Sequence, residues 1–146
     1  MDQGSGSDWR TDSVRFLHGF FADDVPEGPA SRLGTWRCVV LLSALLAVLM
    51  REVFGSAVSL NDLSAYSVRI VEDLDPRPRR IVVEGVLRTG AGYLGSLNGV
   101  SEDEILEVLM IVLRWMRRTV GGSSETADVL TERAIDLTLN GTILGA

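Results

Sequence analysis

The chain has 146 residues, enough to bury one sizeable core, and this length suits a single domain. Hydrophobic residues make up 46% of it and charged residues 23%, a balance that excludes intrinsic disorder of the whole chain. The net charge of -6 argues against a general polyanion binder, because nucleic-acid affinity comes mostly from the neutralisation of phosphates.

The N-terminal segment, residues 1–12, is polar and rich in Gly, Ser and Asp. This composition predicts a disordered arm and resembles neither a signal peptide nor a transit peptide. The rest of the chain, residues 13–146, is predicted to form a single helical domain. Its first helix covers residues 13–21, with Asp12 as the N-cap. Two prolines and two glycines in residues 23–34 then predict a loop, because proline fixes φ and lacks an amide donor.

The most apolar stretch, residues 38–50, lies between Arg37 and Arg51. It is apolar nearly all round, which is typical of a helix that is buried on most sides, and we predict a helix over residues 36–54. A membrane-spanning helix needs about 20 apolar residues, so we expect no membrane span. The single cysteine, Cys38, excludes an intramolecular disulfide, and we expect a cytoplasmic protein.

Ser59 and Asp62 mark the start of the next predicted helix, which runs to about residue 73. Residues 81–87 are rich in β-branched side chains and fit either a strand or a helix. We favour the helix, because helices flank this segment and no second strand pattern offers it a partner.

Ser101 and Glu104 give the clearest helix start, since a serine cap followed three residues later by a glutamate forms a capping box. This helix runs to about residue 120, and a last one covers residues 124–139. The sequence therefore predicts an all-α fold, a compact bundle of five to six helices with a disordered N-terminal arm.

Residues 90–95 match the pattern G-x-G-x-x-G of dinucleotide-binding proteins. That site needs a helix to begin there, whereas Asn98-Gly99 ends any such helix after about one turn. We interpret these small residues instead as allowing close approach to a neighbouring helix. A single histidine, His18, excludes a His-based metal cluster within one chain. A pair of His18 with Cys38 is disfavoured, because a thiol in an apolar helix is usually inert.

We therefore predict no catalytic, cofactor-binding or metal-binding residues. By elimination, the leading hypothesis is a non-enzymatic protein–protein interaction domain, an adaptor, inhibitor or regulator that binds its partner through an apolar groove between helices. We expect this groove near residues 85–99; self-association through the same surface is equally consistent. The candidate interaction residues are aromatic or apolar anchors and a basic cluster: Trp36, Tyr93, Leu94, Trp115, Arg77, Arg79 and Arg80. For each of the anchors we favour core packing over a role in binding.

Two other function classes stay open, a small helical enzyme subunit and a ligand-sensing regulator. The chain is also free of lysine, and all 14 basic residues are arginine. This leaves no side-chain amine for acetylation or conjugation, which would matter to a protein working inside another cell. We favour the codon bias of a GC-rich genome as the explanation.

Residues 87–92, Leu-Arg-Thr-Gly-Ala-Gly, resemble the BH3 stretch of Bcl-2-like apoptosis regulators, which are all-helical proteins that bind helical peptides. Gly92 stands where that stretch has an acid, and the Asn-Trp-Gly-Arg motif of the family is missing. The resemblance covers a small part of the chain. It implies a regulator of host cell death or signalling.

Overall fold

Seven α-helices make up most of the chain that the computed structural model describes, which is residues 3–21, 27–54, 58–74, 77–93, 95, 97–120 and 124–139. In chain order they are α1 (Gln3–Phe21), α2 (Glu27–Leu33), α3 (Thr35–Phe54), α4 (Leu60–Glu72), α5 (Arg80–Gly90), α6 (Glu102–Val120) and α7 (Ser124–Leu139). Strands are absent from these described ranges. The predicted all-α bundle is confirmed, with seven helices in place of five or six, and residues 81–87 are helical as we favoured.

Helix α3 is the centre of the bundle and packs against α1, α2, α5, α6 and α7. Four of its five leucines are fully buried, as the apolar pattern predicts, and Leu49 is half-buried. Each fully buried side chain contributes roughly 1.5–3 kcal/mol by leaving water. Nowhere in the described ranges is a helix apolar over enough of its length to cross a membrane.

Helix α1 begins at Gln3 and covers most of the segment predicted as an arm, of which Met1 and Asp2 lie outside the described residues. Trp9 packs against the core, and Asp12 lies within the helix rather than at its cap. The Asp12 carboxylate accepts two hydrogen bonds from the Arg32 guanidinium, at 2.8 and 2.9 Å. This pair joins α1 to a residue 20 positions along the chain.

The predicted loop over residues 23–34 is wrong for residues 27–33, which form helix α2. Residues 23–26 lie outside the described part of the chain. Pro29 is the third residue of α2. The first four amides of a helix have no partner within it, so a proline in this turn forfeits no hydrogen bond. Arg32, near the other end of α2, holds it to α1 through Asp12.

The two predicted serine caps are present. Ser59 Oγ accepts from the amide of Asp62 at 3.1 Å, and Ser101 Oγ accepts from the amide of Glu104 at 3.2 Å. The other half of the predicted capping box, in which the Glu104 side chain reaches back to Ser101, is wrong. The Glu104 carboxylate instead accepts two hydrogen bonds of 2.7 Å from Arg79. Glu104 therefore joins the start of α6 to the residue before α5.

Helices α5 and α3 approach each other closely at Gly90. A Cβ at this position would lie 2.9 Å from both Leu46 Cγ and Met50 Sδ. Helix α5 ends at Gly90, and the next described helix begins at Glu102, so the G-x-G-x-x-G stretch starts no helix in the described residues. The close approach we predicted for these glycines occurs at Gly90.

Candidate interaction groove

A cavity of about 340 Å³ lies where the first turns of α3 and α6 meet the end of α5 and the loop after it. We call it the Trp36 groove. Its walls are apolar and come from α3, the loop and α6: Trp36, Val39, Leu97, Val100 and Ile105. The groove borders the region around residues 85–99 where the sequence analysis expects one.

The loop between α5 and α6 supplies one wall of the groove through tight turns. Gly95 and Gly99 have φ values of 86° and 83°, in the left-handed region that favours glycine. The amide of Asn98 donates to the carbonyl of Gly95 at 3.3 Å, and the amide of Val100 donates to the carbonyl of Leu97 at 3.1 Å. These turns hold Leu97 and Val100 half-buried against the core.

Three polar side chains also line the groove. The Thr89 hydroxyl donates to the carbonyl of Gly85 at 2.9 Å, within its own helix, so this donor is already used. Asn98 and Glu102 are exposed at the edge. Glu102 is the one charged lining residue in the part of the chain that the structure describes.

Trp36 is the most exposed aromatic side chain of the described residues, with half of its surface open to solvent. It stands in the first turn of α3, next to Arg37, whose guanidinium lies 5.1 Å from the centre of the Trp9 ring. Of the large apolar side chains exposed in the described ranges, only Trp36 lines the groove: the others are Leu60, Ile81, Tyr93 and Val129.

The other predicted anchors lie elsewhere. Trp115 is only 4% exposed; its indole Nε1 donates to Asp73 Oδ2 at 3.0 Å, and its ring meets the Tyr66 ring edge-on. Trp115 is therefore a core residue, the role we favoured for it from the sequence. The hydroxyl of Tyr93 donates to the carbonyl of Val58 at 3.3 Å and joins the loop to the start of α4. Leu94 lies outside the described residues.

The predicted basic cluster lies outside the groove. Arg79 is paired with Glu104, and this pair raises the pKa of Arg79 and lowers the pKa of Glu104. Arg77 and Arg80 are exposed on either side of it. None of the three lines the groove.

The groove depends on residues that the sequence analysis did not select, chiefly Ile105 and Glu102. The helical period marks Ile105 as buried, which it is, but does not say that it stands beside Trp36. The sequence does carry a signal for the position of Glu102. A capped helix that starts directly after a glycine-rich loop places its first turn beside that loop.

The surroundings of Cys38 are the reverse of what a nucleophile needs. Burial raises the pKa of its thiol to about 11, so it is protonated at neutral pH. His18 is exposed on α1. Within the described ranges, no group of His, Cys, Asp and Glu side chains is placed to hold a metal ion.

Comparison of the chain with known protein families, with curated proteins and with solved structures gives no match. Function is therefore argued from the geometry of the groove alone. The segment that resembles a BH3 stretch runs from Leu87 at the end of α5 into the turn at Gly92.

Proposed function

We propose that the protein is an interaction module that binds a segment of a partner protein in the Trp36 groove and catalyses no reaction. The observation that carries this proposal is the half-exposed Trp36 at the rim of an apolar cavity. Tryptophan is enriched among the residues that dominate binding energy, and its large ring gains most when a partner covers it.

The polar lining of the groove favours binding over catalysis. Catalysis by a nucleophile needs a base within hydrogen-bond reach of it, and the described lining residues include no cysteine, serine or histidine. The Thr89 hydroxyl is bonded to its own helix. Asn98 and Glu102 are suited to orienting a bound segment at the edge of an apolar contact.

A ligand-sensing regulator is the second candidate, and the size of the groove favours it. The cavity of about 340 Å³ falls at the lower end of the range for small-molecule pockets, roughly 300–1,000 Å³. In this alternative, Asn98 and Glu102 would contact the polar end of a small ligand. The experiment below separates the two candidates, because it asks whether a peptide alone occupies the groove.

The test is a selection of displayed random peptides against the purified protein, followed by affinity measurement with synthetic peptides. We expect the selected peptides to lose about thirtyfold or more in affinity for the Trp36→Ser variant, the scale of a dominant contact residue. The matched control is Val129→Ser, because Val129 is as exposed as Trp36, at 50%, and lies outside the groove. The control should bind as the wild type does.

Two results would count against the proposal. One is a selection that enriches no peptide above background. The other is a set of peptides that bind Trp36→Ser and Val129→Ser equally well. Circular-dichroism melting of both variants, and sedimentation of the wild type, separate these results from unfolding and from self-association.

A further inference from the structure

We infer that the segment bound in the Trp36 groove is amphipathic and carries a cationic side chain, lysine or arginine, that pairs with Glu102. This inference rests on the proposed function and adds the charge of the partner. It starts from Glu102, the one charged side chain that lines the groove among the described residues.

Glu102 can pair with a charge on the partner, because charged side chains near it contact other residues of the chain. Glu104 is bound to Arg79 through two hydrogen bonds of 2.7 Å. Arg37, which follows Trp36 in the chain, lies over the Trp9 ring on α1. In the ranges that the structure describes, no arginine lines the groove and no side chain pairs with Glu102.

The first turn of α6, at the edge of the groove, carries a net negative charge. The dipole of α6 places about half a positive charge at its first turn. Glu102 and the exposed Asp103 bring two negative charges to the same turn, in addition to the paired Glu104. These carboxylates outweigh the dipole, so the edge of the groove attracts a cation and repels an acidic segment.

The apolar walls of the groove require that the partner segment also carry apolar side chains. Trp36, Val39 and Ile105 present hydrocarbon surface, so a purely polar cationic segment would leave that surface in water. A segment that combines apolar side chains with a lysine or arginine covers the walls and neutralises Glu102 together. The net charge of -6 favours the encounter with such a segment over the whole surface.

The experiment uses the peptides selected against the wild-type protein and compares two variants, Glu102→Gln and Asp103→Asn. Both remove one negative charge from the first turn of α6, but only Glu102 lines the groove. We expect the peptides to contain lysine or arginine, and Glu102→Gln to weaken their binding about three- to tenfold and to flatten its salt dependence. Asp103→Asn should change the affinity less than about twofold.

A charge exchange completes the test. Glu102→Arg should reject the selected peptides and bind better the same peptides with their cationic residue replaced by glutamate. Melting curves of every variant check that α6 still forms.

The outcomes separate this inference from the proposed function. Peptides that need Trp36 but lack basic residues, or bind Glu102→Gln unchanged, overturn the charge assignment and leave the groove as a binding site. Equal weakening by Glu102→Gln and Asp103→Asn overturns the direct pair in favour of a diffuse field. Failure of all peptides to depend on Trp36 overturns both.

Discussion

At Gly90, helix α5 passes so close to α3 that no side chain fits between them. The Cβ of an alanine there would lie 2.9 Å from Leu46 Cγ and Met50 Sδ, which are parts of buried core side chains. Alanine is the better helix former by about 1 kcal/mol, but overpacking a core costs about 1–3 kcal/mol. The net effect is the difference of the two, so we expect Gly90→Ala to lower the free energy of unfolding by up to about 2 kcal/mol, measured by urea titration.

Gly28→Ala is the control for Gly90→Ala. Gly28 lies in α2, and apart from its neighbours in the chain a Cβ there would meet only the Arg32 side chain, at an ordinary 3.4 Å. Pro29 follows it and disfavours helical backbone at a residue with a Cβ, which offsets the gain in helix propensity, so we expect this variant to unfold at nearly the same urea concentration as the wild type. If Gly90→Ala instead proves as stable as the wild type or more stable, helix propensity rather than the contact with α3 decides the effect at Gly90.

The pair of Asp12 and Arg32 predicts a pH dependence of stability. The hydrogen bond from Arg32 holds the pKa of Asp12 below its usual 3.8 in the folded state. A carboxyl group of this kind stabilises the fold above its unfolded pKa, and that stabilisation is lost as the pH falls through the lowered folded value. We expect the urea midpoints of wild type and Asp12→Asn to differ at pH 7 and to converge below about pH 4. A constant difference across this range would contradict the pairing.

At the scale of single helices, the sequence predicts most of the elements and misses those that depend on a distant partner. The apolar period and the serine caps identify α3, α4 and α6 near their observed bounds. Helix α2 and the first half of α1 escape prediction, because Asp12 and Arg32 are polar and lie 20 positions apart. Local pattern carries no information on a pair of this kind.

The two serine caps give a prediction for α4 and α6. Each serine hydroxyl accepts a hydrogen bond from the amide three residues on, at Asp62 and at Glu104. Loss of such a cap costs about 1 kcal/mol, whereas glycine in the same place costs only a few tenths. We expect Ser59→Ala and Ser101→Ala each to lower the thermal midpoint by several degrees, and the glycine variants to lower it less. Alanine variants that melt with the wild type would show that the caps add no stability.

At the scale of the whole molecule, the sequence identifies parts of the groove but does not show that they lie together. The glycine-rich loop and the exposed Trp36 were both singled out, but Trp36 and Ile105 are 69 positions apart and on different helices. A helical period tells which side of each helix is buried. It does not tell which helix ends meet, since the packing of α3 against five others decides that.

The same packing predicts that the bundle opens in two steps. Helix α3 contacts five helices, whereas α4 packs mainly on α5, with a tie from Asp73 to Trp115 on α6. Amides of α4 should therefore exchange with solvent through a local opening, and those of α3 only through global unfolding. Leu41 is fully buried on α3, on the side away from Leu46 and hence away from α5.

Leu41 stays buried when α4 opens, and this gives a sharp test by native-state hydrogen exchange. Leu41→Ala should lower the protection of α3 amides by about 2–5 kcal/mol and leave that of α4 amides nearly unchanged. Leu63→Ala, which removes a fully buried side chain from α4 itself, should lower the protection of both helices. If Leu41→Ala instead lowered α4 and α3 equally, the seven helices would open as one unit, since the loss of a contact in α3 would then be felt wherever any helix detaches.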